Sequence, residues 1–452
     1  MQSKTDKKQE IIRTLFFSVT ALNASGIFLF WFTNNWQSAV TASAQIISAG
    51  GLLGLLLALS VLHQFILQGR LPIIERYIGT VLVQRIHRYN AYLIFFLVLL
   101  HPLLVTIGHS RLHENGFIRQ FVDQVQFYPY VWLALIASML LIFVIAMSIN
   151  IVRRRLRYEY WYTVHLSVYI AVLIAFFHQI ENGQDLLTSD AFRTYWIALY
   201  IVVLGTVAWF RFGRIIWQFW NYNFTVAKVV KEAEGVISIY IASKKPLPDN
   251  FFKPGQFGIW RFFNKKLWWQ AHPFTISTGN PKNGLRLTPK AVGDYTTDLQ
   301  KIKPGTKLFF DGPHGVFTTD RLEDAKPLFI AGGIGITPIR AMLEGLGERA
   351  KDAIVIYSVR GMKDLALGKE LEDISKKYGA KLHCIFSEKA PKGGRKGIVN
   401  KDVLSELVDD VGERKIALCG PPGMMDAVGQ ALIELGVPKQ HIYTERFAFT
   451  AK

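Results

Sequence analysis

Cysteine is nearly missing from this chain: 452 residues hold two, Cys384 and Cys419, both in the second half. Two thiols make no disulfide framework and no cysteine-based metal site, and they suit a reducing compartment for that half. Acidic residues are also scarce, 34 against 52 Lys and Arg, which leaves a formal net charge of +18. Such an excess can mark a nucleic-acid binder. Here much of it sits in short clusters flanking apolar runs, so the clusters read as membrane-topology signals and nucleic acid is set aside as a partner. Internal repeats and low-complexity tracts are absent. No D-x-D-x-D-G loop occurs either, which removes calcium control through an EF-hand.

Apolar surface is plentiful, with half the residues hydrophobic and 11 Trp and 32 Phe among them. Six segments, at roughly 11–33, 41–66, 81–107, 129–152, 160–180 and 192–216, approach or exceed the ~20 residues that a membrane-spanning helix requires. The first lacks a small-x-small cleavage site and is followed by further spans, so it is expected to be a retained helix and not a signal peptide. Lys4, Lys7 and Lys8 precede the first span, Arg70 and Arg76 lie between the second and third, Arg153 to Arg157 between the fourth and fifth, and Arg211 and Arg214 end the sixth. The opposite loops "NNWQS" and "ENGQDLLTSD" carry no Lys or Arg, although Arg111 and Arg119 depart from that pattern. The positive-inside rule then makes the chain integral to the cell membrane with both termini cytoplasmic.

From about residue 222, β-branched and aromatic residues alternate between turn signals such as "KPGQF" and "IKPGTK", which predicts an antiparallel β-barrel. Beyond about 325 an apolar strand, a Gly-rich turn and a helix recur, which predicts an α/β domain with a parallel sheet. The expected organisation is a six-helix transmembrane bundle over 1–217, a β-barrel over 218–322 and an α/β nucleotide-binding domain over 323–452.

Ionisable residues inside spans are rare and tend to be functional. One intramembrane histidine is at least as well explained as a hydrogen-bonded core residue; four together are not. His87 and His101 lie on the third span, His165 and His178 on the fifth. On an ideal helix the 14-residue separation gives a rise of about 21 Å with about 40° between the two side chains, one near each membrane surface. The 13-residue separation gives about 20 Å but about 140°, so a tightened turn or different approach directions must absorb the difference. Both spans run the same way, which pairs His87 with His165 and His101 with His178. Two facing imidazoles per level can fill both axial positions of a haem iron, giving two haems. Zinc competes for histidine, but two ligands without a third make a poor zinc site. His63 has no partner at its depth and reads as a core residue. His109 and His113, beside Arg111, read as a solvated outer loop with an acceptor site as the alternative. Arg85 and Arg88 flank the inner histidine and either meet haem propionates or mark the membrane surface.

The second half carries short motifs in a fixed order. "HPFTIS" spans residues 272–277 and "VGDYT" 292–296, with Lys290 just before the latter; "DGPHG" spans 311–315. "LFIAGGIGITPIRAML", residues 328–343, is an apolar strand, a Gly-rich turn and a helix start, an arrangement that binds phosphate at the carboxyl end of a parallel strand. "IYSVRG" ends at Gly361 after Arg360, "LCGPPGMM" spans 418–425 and "ERFAF" spans 445–449. The set resembles the ferredoxin-reductase-like dehydrogenase domain in the version found in the NADPH oxidases and ferric reductases. With the histidine quartet, the resemblance covers nearly the whole chain.

That resemblance implies FAD, two b-type haems and NADPH, with NADH as the alternative. It implies that His272, Pro273, Phe274, Thr275, Ile276 and Ser277 lie along the flavin, Phe274 and Thr275 at its ring and ribityl region and His272 nearer the phosphates. His272 stands where the soluble reductases of the superfamily have an arginine. Gly293 and Thr296 would serve the flavin's pyrophosphate, with Lys290 also among the cofactor-binding residues; Gly332, Gly333, Gly335, Thr337 and Pro338 would serve the nicotinamide nucleotide; Arg360 a 2′-phosphate, its bland alternative being a surface charge. Cys419 and Gly420 would lie near the nicotinamide. Cys419 as a nucleophile is the weaker reading, because no histidine pairs with it. Phe447, with Phe449 as second choice, would cover the flavin ring, so Phe447 and Cys419 are the expected catalytic positions. The implied activity is transfer of electrons from cytoplasmic NADPH through FAD and two haems to oxygen at the outer face, giving superoxide. A ferric chelate is the second choice of acceptor, and delivery to an extracytoplasmic protein the third.

Overall fold

The computed structural model describes residues 4–149, 152, 155, 158–322 and 325–446. Arg153, Arg154 and Arg157 of the basic cluster, and Phe447 and Phe449 of the expected aromatic cover, lie outside the described residues. The chain divides into two compact units, Met1–Phe212 and Gly213–Lys452.

Unit 1 is helical. Its elements are α1 (Lys4–Trp31), α2 (Ala42–Gln68), α3 (Pro72–Tyr77), α4 (Thr80–Leu112), α5 (Phe117–Phe127), α6 (Val131–Ser148), α7 (Tyr158–Asn182), α8 (Gln184–Thr188) and α9 (Asp190–Ala208). Among the described residues six helices are long and apolar enough to cross a membrane: Gln9–Trp36, Ala42–Gln68, Leu82–Leu112, Val131–Ser148, Tyr160–Asn182 and Asp190–Tyr222. All six spans read from the sequence are present. The third is longer than its apolar run suggests, because α4 carries the polar stretch through His109 into Leu112 before ending at His113. α5 was not expected at all; it is an 11-residue amphipathic helix in what the sequence presents as a loop.

α2 and α4 lie against each other because small residues let their backbones approach. A Cβ on Gly50 would stand 2.7 Å from Val105 Cγ2, and one on Gly108 would stand 2.5 Å from Ile47 Cγ1 and 3.1 Å from the Ser43 carbonyl. Polar groups clasp the same two helices further along: Asn90 Nδ2 donates to the Ser60 carbonyl and to Gln64 Oε1, and Gln64 Nε2 donates to the His87 carbonyl. In an apolar setting such bonds persist for want of a competing donor or acceptor. Trp196 and Tyr200 of α9, both buried, donate to Gln179 Oε1 on α7 at 3.0 Å each.

Unit 2 begins with α10 (Arg214–Tyr222) and then becomes mainly strand. β1 (Thr225–Ala233), β2 (Val236–Ala242) and β5 (Leu285–Leu287) form one antiparallel sheet of three strands, and β4 (His272–Thr275), β3 (Phe257–Phe262) and β6 (Leu308–His314) form another. The predicted antiparallel character is present, but as two three-stranded sheets. They meet at two corners, where Thr225 bridges Lys307 and where the Ser277 amide donates to the Arg286 carbonyl at 2.7 Å. Trp260, Phe262, Phe224 and Phe310 fill the space between, each essentially without exposure. α11 (Asp294–Leu299) interrupts the strands.

The last part is the predicted parallel sheet, six strands in the order β10-β9-β8-β7-β11-β12. β7 is Pro327–Gly332, β8 Ile354–Gly361, β9 Lys381–Lys389, β10 Arg395–Lys396, β11 Lys415–Cys419 and β12 Ile442–Glu445. Between them run α12 (Ile336–Leu346), α13 (Gly368–Tyr378), α14 (Lys401–Leu407) and α15 (Pro422–Glu434). The burial of β7 explains its sequence, since "PLFIAG" is apolar throughout and buried at every position. The chain leaves β7 toward β8 and β9 on one side and returns to β11 and β12 on the other. The direction of winding therefore reverses between β7 and β11, which is where open α/β sheets bind their ligands.

Candidate functional site

α4 and α7 each carry two of the four intramembrane histidines, and the structure pairs them as the levels demand. The ring centres of His87 and His165 are 6.3 Å apart with 49° between their planes; those of His101 and His178 are 6.4 Å apart at 47°. α7 is α-helical from Tyr158 to Asn182, so ring orientation, not a tightened turn, takes up the 13-residue spacing. His178 turns Nδ1 back to the Ala175 carbonyl, 2.6 Å away on its own helix.

Whether these groups suit a metal between them follows from bond lengths. An imidazole nitrogen sits about 2.0–2.1 Å from a first-row metal ion, and the ring centre lies about 1.1 Å behind that nitrogen from ordinary bond lengths. Two rings on opposite sides of one ion therefore have centres about 6.3 Å apart, which both pairs match. Proton positions agree. A carbonyl only accepts, so His101 Nδ1, 2.8 Å from the Gly50 carbonyl, and His178 Nδ1 both carry protons, leaving each Nε2 with a free lone pair. His87 Nδ1 and His165 Nδ1 are buried without a hydrogen-bond partner. Among the described residues no group of three or more His, Cys, Asp or Glu could hold a metal ion, so each pair stands as two ligands and no more.

The remaining histidines of unit 1 separate from this set. His63 lies against the Phe16 ring, 5.3 Å between centres. His109 is on the last turn of α4 and not in a loop; its ring is 5.6 Å from that of His113, which meets Gln120 Oε1 of α5 at 3.1 Å. Arg85 and Arg88 are exposed.

In unit 2, β4 and α11 bring the "HPFTIS" and "VGDYT" segments together. The His272 ring lies 3.9 Å from that of Tyr295, and Phe274 lies nearly parallel to Tyr295 at 6.3 Å. Trp260 Nε1 donates to the Phe274 carbonyl and holds the strand in place. Pro273 is exposed and Phe274 half-buried. Thr296 Oγ1 receives the amides of Val292 and Gly293, while a Cβ on exposed Gly293 would meet nothing within 4 Å, so no packing demand explains that glycine. Thr275, Ile276 and Ser277 are the buried members of the segment. Ile276 lies in the strand core, and Ser277 joins a polar network with Arg286 and Thr288.

The Gly-rich turn follows β7 as expected and abuts the "CGPPG" turn after β11. A Cβ on Gly335 would stand 2.3 Å from the Cys419 carbonyl oxygen, and one on Gly332 2.7 Å from Pro421 Cδ and 2.5 Å from Met424 Sδ. Gly333, at φ +53, takes a backbone conformation that side chains rarely adopt. Gly420 packs back on Gly332, Thr337 Oγ1 donates to the Ile334 carbonyl within the turn, and Pro338 is buried. The two turns thus frame the reversal point of the sheet. Arg360 is exposed and bonds Asp364 Oδ1 at 3.0 Å, and Lys290 Nζ reaches the same oxygen at 3.2 Å. Against the burial that would raise it, the bonds from Arg360 and Lys290 hold the Asp364 carboxyl below its ordinary range. Cys419 has no exposure, and burial pushes its thiol well up, so the nucleophile reading finds no support in its surroundings.

Three comparisons bear on these sites. Residues 53–176 match the family described as ferric reductase like transmembrane component, 221–318 the FAD-binding domain family, and 329–430 the oxidoreductase NAD-binding domain family. The chain belongs to the superfamily with the NADPH oxidase/ferric reductase architecture. Its second half is 31% identical over 179 residues to ferredoxin–NADP reductase B of Sorangium cellulosum, covering 37% of this chain and 73% of that protein. A flavohemoprotein of Oceanobacillus iheyensis is 26% identical over 238 residues, 50% of this chain and 58% of that one. Among solved structures, the flavohem-like FAD/NAD-binding domain of a Vibrio cholerae nitric oxide dioxygenase is similar at 22% identity and a TM-score of 0.44, covering 50% of this chain and 97% of that domain. This member of the superfamily thus joins a ferric-reductase-like membrane domain to a FAD-binding domain and an oxidoreductase NAD-binding domain.

Several residues at these sites carry no motif of their own. Tyr295 was visible only as one letter of "VGDYT", yet it is the ring on which His272 and Phe274 meet. Glu445 pairs in register with Cys419, and burial pushes its carboxyl up to about 7. Arg286 and Arg340, nearly without exposure, both donate to the Ser277 carbonyl and both bond Glu370. Buried arginines of this kind are written in the sequence as isolated letters in apolar stretches, "LRLT" and "PIRAM".

Proposed function

We propose that this protein is a transmembrane NAD(P)H oxidase that takes electrons from cytoplasmic NADPH through FAD and two b-type haems to oxygen at the opposite membrane face, producing superoxide. The observation that carries the reading is the pair of matched imidazole separations, 6.3 and 6.4 Å, repeated at two levels of the same two helices. When bound, haem iron supplies one-electron acceptance and flavin the exchange of a hydride pair for single electrons.

The chain's own groups do the holding. His87 and His165 ligate at the inner level and His101 and His178 at the outer, their uncharged imidazoles offering lone pairs from four points of an apolar bundle that excludes water. In unit 2 the two three-stranded sheets act as one flavin barrel. Phe274 and Thr275 take the flavin ring and ribityl chain, and His272, Lys290, Gly293 and Thr296 its phosphates. The turn at Gly332, Gly333 and Gly335 takes the nicotinamide nucleotide, with Arg360 exchanging Asp364 for a 2′-phosphate, and Gly420 and Cys419 lie beside the nicotinamide, Cys419 as part of the wall. The resemblance of "ERFAF" assigns the flavin cover to Phe447, which lies outside the described residues. The basic loops are placed on the cytoplasmic side of the cell membrane together with both termini.

Oxygen is preferred as acceptor because "HPFT" with "GDYT" resembles the oxidase branch. A ferric chelate is the second reading, favoured by the family description that residues 53–176 match. Purified protein in lipid separates them. NADPH-driven reduction of cytochrome c that superoxide dismutase suppresses supports the oxidase. Anaerobic reduction of chelated iron at comparable rates, with no dismutase-sensitive signal in air, replaces it with the reductase.

A further inference from the structure

His101 is the one histidine of the quartet whose ring is bonded by a different helix. Its Nδ1 meets the Gly50 carbonyl of α2 at 2.8 Å, whereas His178 bonds its own helix and His87 and His165 leave Nδ1 without a partner. A helical carbonyl is ordinarily committed to the amide four residues on, here Gly54, and its second lone pair is shielded by the side chain at that residue. Gly54 has none. A Cβ there would stand 2.7 Å from His101 Cε1, 2.7 Å from Nδ1 and 3.3 Å from Nε2, all ring atoms held on one side by the Gly50 bond. The ladder of close contacts from Gly108 against Ile47 through Val105 against Gly50 brings α4 near enough for the contact.

We propose that Gly50 and Gly54 form a seat on α2 that sets the ring plane and the proton position of His101, making Gly54 a positioning residue for one haem level and not the other. The Gly50 carbonyl holds the proton on Nδ1, and the bare Cα of Gly54 lets the ring lie flat against the helix, so Nε2 is presented toward His178. This rests on the reading of the histidine pairs as haem ligands.

Gly54→Ala tests it, with Gly51→Ala as the control, because a Cβ on neighbouring Gly51 meets nothing within 4 Å. In the full-length protein, Gly54→Ala is expected to lower haem per bound FAD from about two toward about one, or to shift one of the two low-spin haem signals in electron paramagnetic resonance. Gly51→Ala and the NADPH-to-ferricyanide activity of the flavin half remain as in the wild type. Two unaltered haem signals in Gly54→Ala overturn the seat while leaving the ligand reading intact; wild-type protein that binds no haem overturns both. Should Gly54→Ala fail to accumulate, His101→Gly supplies an unstrained background in which the added methyl enters space the ring has left. Imidazole is expected to restore the haem spectrum of His101→Gly and to bind His101→Gly/Gly54→Ala at least about tenfold more weakly. Equal affinities overturn the seat.

Discussion

His178→Leu keeps an apolar side chain in an apolar bundle and removes one imidazole, so its effect is confined to the level it shares with His101. Haem per FAD is expected to fall by about one, with NADPH-to-ferricyanide turnover within about twofold of wild type, measured by haemochrome absorption and a diaphorase assay. The quartet itself was legible, since four histidines inside apolar runs at 14- and 13-residue spacing leave few other readings. Their second bonds were not, because Gly50 and Ala175 act through backbone carbonyls that every residue possesses. Cys419 shows the opposite case. Its motif suggested a chemically active position, but a thiol without exposure and pushed up by burial should resist alkylation at least about tenfold better in the native chain than after unfolding, read by mass spectrometry. Glu445 makes a pH prediction. Burial raises its carboxyl from the usual 4.5 to about 7, so the folded state holds this proton more tightly than the unfolded chain. That contribution to stability is complete below about pH 4.5 and is lost as pH rises through 7. Glu445→Gln should flatten the fall in thermal midpoint of the flavin-binding half over this window.

Among the elements, the long helices and the parallel strands were readable for one physical reason: each buries a face whose period is fixed by its own geometry. β7 is apolar at every position because both faces are covered, and the spans are apolar all round. α5 escaped because its 11 residues alternate polar and apolar at helical spacing within a segment too short and too mixed to stand out. The arginine network between β5, α12 and α13 escaped because it is made of long-range pairs. Arg286 Nη1 meets Glu370 Oε2 at 2.9 Å and Tyr240 OH at 3.2 Å, its Nε meets Ser277 Oγ at 3.0 Å, and Arg340 bonds Glu344 and Glu370. Burial alone would lower the Arg286 guanidinium, but Glu370 outweighs it and holds the charge in place. Arg286→Leu leaves the Ser277 carbonyl to Arg340 alone and weakens the hold on Glu370, at a cost of about 3 kcal/mol. The thermal midpoint of the soluble half should drop by roughly 6–12 °C. Glu370→Gln, which retains an acceptor, should cost less than half as much in the same melt.

At the scale of the whole molecule, the charge distribution makes the prediction. With the basic loops inside, cysteines introduced singly at Ser38 and Glu181 in a chain lacking Cys384 and Cys419 should react with a membrane-impermeant maleimide in intact cells, and one at Gln2 should not. The reverse pattern would invert the assigned topology. Composition alone announced a membrane part and a soluble part, and the contacts divide the chain after Phe212. Within Gly213–Lys452 the single carbonyl of Ser277 has a mechanical meaning. It ends the "HPFTIS" segment, it accepts from Arg286 beside the strands and from Arg340 on the helix that follows the Gly-rich turn, and Glu344 of that helix receives the Gly279 amide two residues on. Hinge bending between the strand sheets and the parallel sheet would have to break the Arg340 and Glu344 bonds together. Such bending is therefore resisted, and nucleotide entry and exit are expected to draw first on local motions of side chains and turns.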